Sequence, residues 1–179
     1  MGTPTAGLEG VIAGESEICY IDGYAGVLSY RGYNIHTLAD NASFEEVIFL
    51  LWNGWLPKQS ELDQLKKDLA AVRELPGAVV DFLKSAPQAN TMDVLRTAVS
   101  MLSLHDPAAQ DMSAEANHSK AVRLMSQTAT IVTTYDRLRN DKPVIAPDPN
   151  LSFAANFLPS LVVIWAVEIL STTWFAVST

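Results

Sequence analysis

Hydrophobic positions along the chain change rhythm twice. Between Glu17 and Arg31 two short β-rich stretches, Ile18, Tyr20 and Ile21 and then Val27, Leu28 and Tyr30, flank the turn formers Asp22-Gly23 and Gly26. Turn residues between two such stretches predict a β-hairpin. A lone hairpin is marginal in water, so this one needs the helices that follow. From Asn34 the spacing is helical. Ser43-Phe44-Glu45-Glu46 is a capping box, Val47, Ile48, Leu50 and Leu51 form the apolar face behind it, and Gly54 is a left-handed stop before Pro57. A second helix is expected from Ser60, with Leu62, Leu65, Leu69 and Val72 inward and Lys66, Lys67 and Asp68 in water. Pro76 opens a short third helix that ends near Ser85 and Pro87.

The stretch Met92 to Leu104 carries more information. At the helical period, Asp93, Arg96, Thr97, Ser100 and Ser103 share an arc of roughly 120°. Most of the remaining circumference is apolar, about twice what one core requires of a surface helix. This helix is therefore expected to be buried on two sides, at the centre of its domain or against another subunit. After His105-Asp106-Pro107 a long helix is predicted from about Ser113 to Asn140, with Ala121, Leu124, Met125, Ala129, Ile131 and Val132 inward together with several Thr residues. Small residues there suit close helix approach. Pro143, Pro147 and Pro149 make the next segment extended, and a further helix is expected around Leu151. The last rhythm, from Pro159 to Thr179, is almost continuously apolar with Glu168 as its one charge. It barely reaches the ~20 residues that a membrane span needs. It also lacks Lys or Arg at either end, so a buried or aggregation-prone tail is the preferred reading and a membrane role is not expected.

Composition narrows the function classes. Hydrophobic residues make up 49% of the chain and charged residues 18%, which suits a packed core and argues against disorder. The net charge of -8 repels phosphate backbones and anionic lipid, so no nucleic-acid partner is expected. Cys19 is the only cysteine, which excludes an intrachain disulfide or a CxxC metal site. Residues Met1 to Val11 lack a basic n-region and an apolar h-region, so a cytoplasmic location is the expectation.

Candidate chemistry is sparse. His36, His105 and His118 are the three histidines, and no two stand three or four residues apart on one helical face. His105 beside Asp106 reads as a helix-end histidine near the negative end of the dipole. Cys19, in a strand between Ile18 and Tyr20, has no neighbouring cation to stabilise a thiolate, and reads as a packing residue. Glu45 and Glu46 are explained by capping, and Glu15 and Glu17 by strand entry. Arg31, within Tyr30-Arg31-Gly32-Tyr33, reads as an anchor tying the hairpin to a helix. No Walker loop, GxGxxG, GxSxG or HExxH is present. The residues themselves assemble no catalytic constellation.

Several blocks taken in order do carry a resemblance. They are Gly7-Leu8-Glu9-Gly10-Val11, Ile18 to Gly23, Gly26 to Ile35, Phe44 to Val47 with Leu50 to Gly54 and Leu56-Pro57, Met92 to Ser100, and Ala154 to Leu158. Together they resemble the bacterial citrate synthases, from about Gly7 to Leu158 and in family order. The resemblance implies an all-α multi-helix fold like the citrate synthase large domain, incomplete, with a short N-terminal β-hairpin. Residues 1–158 would be the N-terminal part of that domain and 159–179 an apolar tail unlike the family. It further implies association with a citrate synthase-like subunit through the helices at 92–104 and 113–140, since the family forms homodimers across antiparallel helices. Asn90-Thr91 departs from a common His-Pro before Met-Asp.

Members of the family condense oxaloacetate with acetyl-CoA. An Asp takes a methyl proton, one His stabilises the enolate, a second polarises the ketone, and arginines hold the carboxylates. No residue here matches any of these groups. The resemblance therefore implies no catalytic, cofactor-binding or metal residue in this chain, no bound cofactor (acetyl-CoA being the family's substrate), and a truncated protein inactive by itself. A 2-methylcitrate synthase fragment and a non-catalytic dimerisation module are the alternatives.

Overall fold

The computed structural model describes residues 14–86 and 88–158. The Gly7–Val11 block and the apolar run from Pro159 lie outside the described residues. The chain divides into two compact units, one up to Lys58 and one from Gln59.

The first unit begins with a three-stranded antiparallel sheet, in order β1 (Cys19–Asp22), β2 (Val27–Tyr30) and β3 (Tyr33–Asn34). Cys19 pairs with Tyr30, Ile21 with Leu28, and Tyr30 again with Tyr33. The β1–β2 turn forms because the Asp22 carboxylate accepts from the amides of Tyr24 and Ala25 at 3.0 and 2.9 Å, and Gly26 takes φ +67°. The hairpin is as read from the sequence; β3 is an addition. The chain turns into it through Arg31 at φ 48° and Gly32 at φ 85°. Asn34 then caps α1 (Ile35–Asn41) by accepting from the His36 amide at 2.9 Å.

Helix α2 (Phe44–Asn53) has the capping box that its sequence announces. The Glu46 amide donates to Ser43 Oγ at 3.3 Å, and the Ser43 amide donates to Glu46 Oε2 at 2.7 Å. It stops at Gly54, whose φ of 91° favours glycine and whose amide reaches Leu50 O at 2.8 Å. Trp55, just past the stop, packs edge-on against Phe49 with ring centroids 6.2 Å apart.

The second unit is helical: α3 (Gln59–Ala71), α4 (Gly77–Ser85), α5 (Thr91–Leu102) with a 3-10 turn at Ser103–His105, and α6 (Ala114–Arg139). Residues 153–158 add a helical turn. Its core gathers Val79 and Leu83 of α4, Val94, Ala98 and Leu102 of α5, and Ile131 and Tyr135 of α6. Leu62, Leu65 and Leu69 of α3 are buried as their spacing requires.

Helix α6 departs from its reading in one respect. Leu124, expected inward, is 41% exposed, while Ser126, Gln127 and Arg137, which that reading did not include, are buried beside the inward Thr133 and Thr134. The reason is that backbone carbonyls stripped of water need donors. Ser126 Oγ donates to Leu69 O at 2.8 Å, Gln127 Nε2 to Glu74 O at 2.8 Å, and the Tyr135 hydroxyl to Ala86 O at 2.7 Å and Ala89 O at 3.0 Å. The loops beside α6 thus hang on its polar side chains.

The proline-rich segment 141–152 is held in the same way. Arg137 Nε donates to Pro143 O. Arg73, 6% exposed, donates from Nη1 to Asp148 O at 2.8 Å and Leu151 O at 3.0 Å. Asn156 Nδ2 shares those two carbonyls, at 2.8 and 3.2 Å. Before α6, Arg123 pairs with Asp106 and Lys120 donates to the carbonyls of Ala109 and Asp111, fixing the loop 106–113. Asp111, whose side chain accepts from the Ser113 amide at 2.8 Å, is held below its ordinary carboxylate range first by that backbone bond, then by the Ser113 hydroxyl, with Lys120 helping.

Two expectations follow. Leu83→Ala, at a fully buried position of the α4–α5–α6 core, should cost about 2–5 kcal/mol in urea unfolding, against about 1 kcal/mol for Ser43→Ala at the α2 cap. Carboxyl NMR should find Asp111 ionised to lower pH than a free aspartate. Its folded pKa being lowered, its contribution to stability is present above the unfolded value and lost as pH falls through the folded one. Ser113→Ala should move that titration upward.

Candidate functional site

The residues singled out in the sequence do not converge. Cys19, read as a packing residue, is exposed instead, because its strand lies in the small sheet rather than in the helical core. His36 stands exposed in α1, His105 ends the 3-10 turn as its helix-end reading required, and His118 is exposed on α6. Among the described residues no three His, Cys, Asp or Glu side chains gather closely enough to hold a metal ion. Arg31 is an anchor in the sense its sequence suggested. Its Nη2 donates to Leu51 O in α2 at 3.1 Å, and Nη1 approaches Glu17 at 3.4 Å.

What the sequence reading located better is a surface. Helix α5 buries Val94, Ala98 and Leu102 on one side. Asp93, Arg96, Thr97 and Ser100 face water on the other, and Arg96 pairs with Asp93 at 2.9 Å. Between these two sides runs a second apolar flank of Met92, Leu95 and Val99 that its own chain covers only in part. This is the doubly apolar circumference inferred from the sequence, with one half filled.

Helix α6 offers a matching strip. At 100° per residue, Ala121, Met125, Thr128 and Val132 fall within an arc of roughly 60°, and all four are half-buried. The two helices run antiparallel. Thr91, Met92 and Leu95 meet Val132, Tyr135 and Asp136, whereas Val99 and Leu102 meet Leu124, Arg123 and Lys120. A cavity opens at each end of the pair, about 260 Å³ near Met92 and Val132 and about 230 Å³ near Val99 and Leu124. Arg139 stacks over the Tyr135 ring at 5.9 Å beside the first cavity. The second contains the Arg123–Asp106 pair, with the Asp106 side chain only 7% exposed.

The flank is aliphatic along Met92, Leu95, Val99 and Val132, and the charged groups lining the two cavities have internal partners or a ring to stack on. A third, small cavity, about 20 Å³, lies under the 141–152 segment between Arg73, Ser126, Thr130, Thr133 and Asn156. That is room for about one water among several polar groups, which marks a structural feature and not a substrate site. No described helix is long and apolar enough to cross a membrane.

Comparison with known proteins bears directly on this arrangement. The family model "Citrate synthase, C-terminal domain" matches residues 7–173, past the Leu158 at which the block resemblance was read to end. A citrate synthase of Haloferax volcanii is 42% identical over 157 residues, covering 85% of this chain and 41% of that protein. A 2-methylcitrate synthase of Mycobacterium tuberculosis is 40% identical over 153 residues, covering 85% and 38%. Among solved structures, the citrate synthase of Pyrobaculum aerophilum superposes with a TM-score of 0.82 at 31% identity, over 90% of this chain and 44% of that one. The chain thus spans about two fifths of the length of the relatives it matches. By sequence and by fold, this chain belongs to the citrate synthase family.

Proposed function

We propose that the chain supplies a helical scaffold portion of a citrate synthase-type enzyme, and that α5 and α6 join it to a like subunit. The motif order supports an amino-terminal position for that portion within the family, although the matching family model is named for a C-terminal domain. The whole enzyme's reaction would be the condensation of acetyl-CoA with oxaloacetate. The observation that carries the reading is the half-covered apolar flank along Leu95, Val99 and Val132, within a chain of this family. Such a flank loses contact with water when a complementary helix pair lies on it, which favours association by roughly 25 cal/mol per Å² of apolar area buried. Small residues at Ala121, Thr128 and Ala129 let the partner approach closely.

Catalysis by these 179 residues alone is not part of the proposal. The reaction needs a base for the methyl proton and donors for the developing enolate oxygen, placed within hydrogen-bond reach of one another. The described histidines stand on α1, the 3-10 turn and α6, and none lines either of the α5–α6 cavities. A 2-methylcitrate synthase portion is the second reading, supported by the 40% identity to the mycobacterial enzyme. A non-catalytic association module is the third, and rests on the same flank. A cytoplasmic setting accords with the single cysteine.

Purified chain given oxaloacetate and acetyl-CoA, or propionyl-CoA, should release no thiol; steady turnover would overturn the scaffold reading. Light scattering should show concentration-dependent association. Val132→Asp should weaken it at least tenfold with helical circular dichroism retained, because the half-buried strip would then carry an unpaired carboxylate. A wild-type chain that stays monomeric, or a variant that associates equally well, would contradict the assignment of this face.

A further inference from the structure

No further inference is drawn: the strongest candidate, the cavity between α5 and α6 beside Lys120, Arg123 and Asp106, has cations already bound to that carboxylate and to loop carbonyls, and nothing in the structure shows what else would occupy it.

Discussion

Helix α6 can lie at the centre of its unit because the polar side chains it buries have backbone carbonyls to bond. Ser126 reaches the end of α3, Gln127 and Tyr135 reach carbonyls before and after α4, and Arg137 reaches the proline-rich segment. Without those acceptors, each buried group would cost about 1–3 kcal/mol. With them, α6 becomes the post to which irregular stretches are tied, and the aliphatic core of α4 and α5 closes over Ile131 and Tyr135. Carbonyls that no helix or sheet can satisfy are answered by side chains, at Glu74, Ala86 and Ala89 and along the segment 141–152.

This economy has a geometric consequence. One side of α6 is spent on polar anchoring and one edge on the core, so the strip at Ala121, Met125, Thr128 and Val132 is only half covered. Helix α5 stands beside it with Leu95 and Val99 in the same condition. The proposed role in subunit association comes from this coincidence, in which two adjacent antiparallel helices each carry an unfinished apolar side. Membership of the citrate synthase family supplies the chemical setting. The flank is the feature of this chain on which the proposed association rests.

Much of this was legible in the residues. The Ser43–Glu46 box and Gly54 marked both ends of α2, and Pro76 marked the entry to α4, because caps and stops are local chemistry. The unequal circumference of α5 was visible because Asp93, Arg96, Thr97 and Ser100 fill only a narrow polar arc. The inward face of α6 was legible only in part. Ile131, Thr133 and Thr134 turn inward as read, but Ser126, Gln127 and Tyr135 are fixed there by carbonyls 46 to 57 residues away. Hydrophobicity alone pointed to Leu124, which lies outside. Strand β3 was missed because two residues carry no periodicity, and Cys19 was misjudged because a three-stranded sheet leaves much of its surface open.

Cysteine cross-linking in a Cys19→Ser background tests the central claim most directly. Thr128→Cys, on the half-covered strip of α6, should form covalent dimers under mild oxidation, whereas Thr97→Cys, on the polar side of α5, should not. Dimers from the Thr97 variant with none from the Thr128 variant would show that like chains meet elsewhere, and the account of α5 and α6 would fail.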